Sequence, residues 1–145
     1  MRRAVIACGV AAAALAAALA AGAASGAGTT TFMVQLRGSN ETPAAPASNR
    51  GSVTLKVTPA SGKVCWTFAL AKIDGKPNQA HIHKGRKGVS GPVVVPLYAN
   101  GKTYVARGCA RAKKTLVAAI VKRPAGYYVN VHNAKHPAGA MRGQL

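Results

Sequence analysis

Acidic side chains are almost missing from this chain: 20 lysines and arginines stand against only Glu41 and Asp74, a formal charge of +18. That scarcity removes whole classes of chemistry. A pair of carboxylates flanking one bond, as glycoside hydrolysis requires, would have to come from these two residues, which sit in separate turn-rich segments. An all-oxygen calcium or magnesium cage is disfavoured on the same ground. Aromatics make up 5% of the residues and do not interleave with the basic ones, so sequence-specific reading of nucleic acid by base stacking is not expected. Cysteine is sparse, three residues without a Cys-x-x-Cys pair, which leaves neither a dithiol redox motif nor a cysteine-rich zinc site. Walker and dinucleotide glycine patterns are lacking. Ser90 in Gly88-Val89-Ser90-Gly91 is without the Gly-x-Ser-x-Gly elbow of a hydrolase and reads as a turn residue. No catalytic residue is assigned, and the chain reads as a non-enzyme more than as an enzyme.

Long apolar runs are confined to the N-terminus. Arg2 and Arg3 precede an Ala/Leu/Val run from Ala4 to about Ala21, and small residues offer cleavage after Ala23, Ala24 or Ala27. Residues 1–28 thus read as a secretory signal peptide; the competing reading is an uncleaved anchor, weakened by a run built mainly of alanine. Arg2-Arg3 lacks a twin-arginine context and Cys8 lacks a lipobox. Residues 29–145 remain as one exported domain without a transmembrane segment. Losing Arg2 and Arg3 lowers the charge to +16. Such a field attracts anionic cell-envelope polymers and other polyanions, although the same surplus also serves simply to keep molecules apart. Two cysteines survive cleavage, Cys65 and Cys109. An even count outside the cytoplasm favours one disulfide over two free thiols.

Strict alternation marks strands near 30–37, 51–58, 63–71, 79–84, 92–98, 102–107, 127–133 and 140–145. Val53, Leu55 and Val57 share one face, as do Val64, Trp66 and Phe68, with Cys65 on the other. Asn100-Gly101 fits a two-residue hairpin turn. Residues 39–50, rich in Pro, Ala, Ser and Asn, read as a long surface loop. A short helix is expected over 113–122, where Leu116, Val117 and Ile120 fall at helical spacing before Pro124; a further strand is the alternative. Many short strands with turns between them predict a β-sandwich or barrel.

Histidine carries the remaining chemistry. In an extended strand His81 and His83 share a face while Ile82 takes the other, and Tyr128, Asn130 and His132 likewise share a face opposite Val129 and Val131. If the aliphatic residues face the core, three imidazoles stand on the outside of the sheet. Two histidines at i and i+2, joined by a third from another strand, form a nitrogen set suited to copper or zinc. The other reading is that His81, His83 and His132 hydrogen-bond to loop backbone, Asn130 or Arg142 and stitch strands together. His136, before a proline, is expected in solvent.

These residues also carry a resemblance. Phe32 through Glu41-Thr42-Pro43, then His81-Ile82-His83-Lys84-Gly85, Gly91-Pro92-Val93-Val94-Val95, Tyr128-Val129-Asn130-Val131-His132 and Arg142-Gly143-Gln144 resemble the CHRD (chordin-type) domain family, here a secreted bacterial member, in order and spacing. One departure is visible: Ala138-Gly139-Ala140-Met141 stands where the family usually has Gly-Gly-Glu ahead of Arg-Gly-Gln. The resemblance implies an all-β, immunoglobulin-like Greek-key β-sandwich outside the cytoplasm, with Asn130, Arg142 and Gln144 in its structural motif, and it implies no particular activity. The His-x-His strand is also similar, over a short stretch, to Cu/Zn superoxide dismutase, but no second aspartate-containing zinc site accompanies it. Two functions therefore stand side by side. One is a secreted, non-enzymatic cell-surface binding or structural module; the other is a small copper- or zinc-binding protein using His81, His83 and His132.

Overall fold

Val34 and Leu36, Val53, Leu55 and Val57, and Val64, Trp66 and Phe68 alternate along the first three strands, and all are buried in one hydrophobic core. A computed structural model describes residues 28–98 and 103–145. The leader read over residues 1–28 lies outside the described residues except for Gly28, and so does the Asn100-Gly101 turn. Eight strands follow in order: β1 (Thr30–Arg37), β2 (Arg50–Thr58), β3 (Lys63–Lys72), β4 (Pro77–Lys84), β5 (Val93–Tyr98), β6 (Arg107–Arg111), β7 (Tyr127–Asn133) and β8 (Met141–Gln144). The one α-helix among the described residues, α1 (Lys114–Lys122), lies between β6 and β7.

All eight strands join one antiparallel sheet in the order β5-β4-β7-β8-β1-β2-β3-β6. The fold is all-β, as expected, but its layers belong to a single sheet that curls until it is nearly a barrel. The edge strands β5 and β6 approach each other, and an aromatic trio bridges the seam between them. Phe68 meets Tyr98 edge-on with centroids 6.1 Å apart, and Tyr104 lies 6.4 Å from Phe68 and 6.1 Å from Tyr98. Curling encloses the aliphatic face and brings the two edge strands near each other, although no ladder joins β5 to β6 among the described residues.

Two sequence expectations shift. The strand read at 102–107 begins at Arg107 instead, and it pairs with β3 rather than forming a hairpin with β5. Its residues, Arg-Gly-Cys-Ala-Arg, include no large apolar side chain, so periodicity carried little signal; pairing is set by β3 and by Cys109, which lies directly opposite Cys65 and is disulfide-bonded to it. The bond therefore locks β6, the strand that leads into α1, to its neighbour β3. Segment 113–122 is helical rather than extended: Val117 and Ile120 enter the core at helical spacing, and Pro124 follows the last turn. Segment 39–50 is not a plain surface loop, because Glu41 and Asn49 are buried within it.

Candidate metal centre

Strand pairing, not proximity in sequence, assembles the site. In β4 the residues Ala80 and Ile82 point into the core, so Gln79, His81 and His83 take the outer face. In β7 the residues Val129 and Val131 do the same, which places Tyr128, Asn130 and His132 outward. Antiparallel register sets His83 opposite Tyr128, His81 opposite Asn130 and Gln79 opposite His132. Asn130 in turn faces Arg142 of β8, and Tyr128 faces Gln144.

This outer face is not wet. The β4–β5 connection, the segment after β7 and the loop after β1 fold over it, leaving His81, His83 and His132 at 9%, 8% and 7% exposure. The three rings converge as the alternation implied: one donor atom from each lies within 4.8 Å of the other two. His136 does not join them; it is half-buried, 3.6 Å from Asp74, rather than free in solvent.

Backbone carbonyls fix the tautomers. Nδ1 of His83 donates to the Gly91 carbonyl at 2.8 Å, and Nδ1 of His132 donates to the Pro137 carbonyl at 2.9 Å. A carbonyl can only accept, so in each neutral ring the proton is on Nδ1 and the lone pair on Nε2. Nε2 of His83 is buried and has no partner among the described residues. Nε2 of His132 meets Nδ1 of His81 at 3.3 Å, so that one proton separates two nitrogens spaced about as far apart as two ligands of a tetrahedral ion with bonds of ~2.0–2.1 Å. A metal taking that proton's place needs only a shift of the His81 proton to its own Nε2. Asn130 and Arg142, considered as partners of the histidines, bond elsewhere.

Burial, ahead of the neighbouring imidazoles, holds His81 down to about 4. It also lowers His83 and His132, against the opposing pull of their carbonyl acceptors. All three rings are thus neutral near pH 7, the protonation state a metal requires.

Behind the histidines stands a second set of contacts. The Tyr128 ring stacks on His83 at 4.8 Å and 11°, and the Arg142 guanidinium covers the Tyr128 ring, 4.7 Å from its centroid. The Tyr128 hydroxyl accepts the Gly91 N–H at 3.1 Å. One tyrosine therefore positions both His83 and the carbonyl that orients it. Arg142 Nε donates to Glu41 Oε2 at 2.6 Å, and Asn130 Nδ2 donates to the same oxygen at 3.2 Å. Burial pushes the Glu41 carboxyl above its ordinary value, while Arg142 and Asn130 oppose that rise. Gly139, at φ 147°, leaves room for this carboxyl, which a Cβ would strike. Gln144 closes the arrangement by donating to the carbonyls of Gly85, Ala125 and Tyr127.

Sequence reading missed Glu41 and the stacking role of Tyr128. Glu41 had one usable signal: one of only two acids among so many bases is well placed to hold a buried arginine. The charged exterior is separate from this pocket. A cleft of about 500 Å³ is lined by Lys84, Ala119, Lys122, Arg123, Gly126 and Tyr127.

Fold and site together define a curled, single-sheet β module with a disulfide across two strands and a covered imidazole pocket on its outer face. The chain belongs to the CHRD domain family, whose model matches residues 32–145. Searches of curated proteins and of solved structures find no match. Among the described residues no helix is long and apolar enough to cross a membrane.

Proposed function

We propose that this CHRD domain is an exported, non-enzymatic module that binds one copper or zinc ion through His81, His83 and His132. The observation that carries the reading is the pair of Nδ1–H donors held by the Gly91 and Pro137 carbonyls, which leaves ligand lone pairs directed into a buried space. A purely structural histidine usually has both ring nitrogens satisfied; Nε2 of His83 is buried and has no protein partner among the described residues. Export is supported by the basic-then-apolar leader, the Cys65–Cys109 disulfide and the family.

The test is metal analysis of tag-free protein. One equivalent should be retained through gel filtration by the parent protein and by His136→Ala, and lost by His83→Ala and His132→Ala. Absence of bound metal after loading, with the fold intact, would return the three rings to a stitching role.

The second reading, a cationic surface module for anionic envelope polymers, is favoured by the near-absence of acids and by the basic rim of the 500 Å³ cleft. The two readings are compatible, because the cleft residues and the histidines do not overlap.

A further inference from the structure

We infer that the imidazole pocket selects a monovalent ion, copper(I), over copper(II) and zinc(II); the inference rests on reading the pocket as a metal site. Charge decides it. The ligand set is wholly uncharged, because among the described residues the metal-ligand group contains His81, His83 and His132 and no carboxylate or thiolate. Both acids are engaged elsewhere, Glu41 with Arg142 and Asp74 with Lys135, and Cys65 and Cys109 are joined to each other.

A cation entering this pocket is therefore buried without a countercharge. The cost of taking an ion out of water grows with the square of its charge, so a dication loses about four times as much as a monocation of similar size. The field of the whole molecule adds to the difference. Against a formal charge of +18, or +16 without the leader arginines, a dication does twice the work of a monocation. Arg142 contributes at close range, since its guanidinium covers one face of Tyr128 while His83 stacks on that ring.

Coordination number points the same way. Zinc takes four ligands in structural sites, or three and a water in open catalytic ones. Here three nitrogens converge beneath covering loops, and copper(I) is content with three. The usual affinity order, in which copper(II) leads the divalent ions, assumes that the site tolerates a double charge. This one is built without any means of compensating it.

Tag-free protein with its disulfide intact would be titrated in competition with bathocuproine disulfonate under ascorbate for copper(I), and with chelators of known affinity for zinc(II) and copper(II). The expected result is one equivalent of copper(I) bound at least a hundredfold more tightly than either dication. Zinc(II) or copper(II) binding as tightly as copper(I) would overturn the selectivity and leave the metal site standing; no binding of any of the three would remove the site itself. A charge variant provides the second arm. Gln79 is half-buried, shares the histidine face of β4 and lies opposite His132. Gln79→Glu should lower the copper(I)-to-zinc(II) affinity ratio at least tenfold by supplying the missing negative charge. Both ions are measured on the same preparation, so a loss of stability does not move the ratio, and an unchanged ratio would refute the charge argument.

Discussion

His81, His83 and His132 are neutral because of where they sit, and this ties stability to pH with a definite sign. Each has a folded-state pKa below its ordinary value of 6.5, and His81 is held down to about 4. Between those limits the unfolded chain binds more protons than the folded one, so stability rises with pH across that window. The contribution is complete above about pH 6.5 and is lost as pH falls toward 4; for His81 alone it is on the order of 3 kcal/mol. Metal-free protein should accordingly melt at progressively lower temperature from pH 6.5 to pH 4, with a shallower fall in His81→Gln. A melting temperature flat across that range would show that the imidazoles are not desolvated. Metal affinity should decline over the same interval, because protons compete for the same lone pairs. Glu41 and Arg142 obey a different rule. Each is buried with the other as its ionic partner, at 5% exposure apiece, so removing either strands a charge. Glu41→Gln or Arg142→Leu should each cost about 3–5 kcal/mol in urea unfolding, and the double variant clearly less than the sum.

Among the elements, legibility in the sequence followed the strength of the period-2 signal. Strands β1 to β3 were readable because Val, Leu, Phe and Trp alternate with polar residues over eight to ten positions. Strand β7 was readable from Val129 and Val131, and with β4 it delivered the histidine face. Strand β6, Arg-Gly-Cys-Ala-Arg, has no such contrast; its position comes from pairing with β3, a long-range fact that local pattern does not contain. The covering loops were illegible for a related reason. Which carbonyl meets His83 depends on the path from Gly85 to Pro92, and a Cβ at Gly91 would collide with the Lys84 carbonyl. No single residue announces that approach. The disulfide belongs to this scale as well. It joins β6 to β3 across 44 residues. Cys109→Ser should therefore cost about 2–5 kcal/mol and loosen β6 before the rest of the sheet. Hydrogen exchange in the variant should rise first at Arg107–Arg111; uniform acceleration over all strands would show that β6 is held chiefly by its ladder.

For the whole molecule, charge is distributed rather than sited, and that separates its consequences from those of the pocket. The chain carries 20 lysines and arginines against two acids. Lys84, Lys122 and Arg123 rim a cleft of about 500 Å³ but form no ion pair among the described residues. Contact with a polyanion would release condensed counterions in proportion to the charges neutralised, so retention on heparin or on an anionic cell-wall preparation should fall steeply as salt rises. The combined variant Lys84→Ala, Lys122→Ala, Arg123→Ala should elute at lower salt and show a shallower dependence if the cleft is where the polymer sits. An elution shift no larger than that of three alanines placed on the outer face of β2 and β3 would make the attraction a property of the net charge alone. His83→Ala should elute with the parent protein in either case, because it changes the pocket and leaves the cationic exterior untouched.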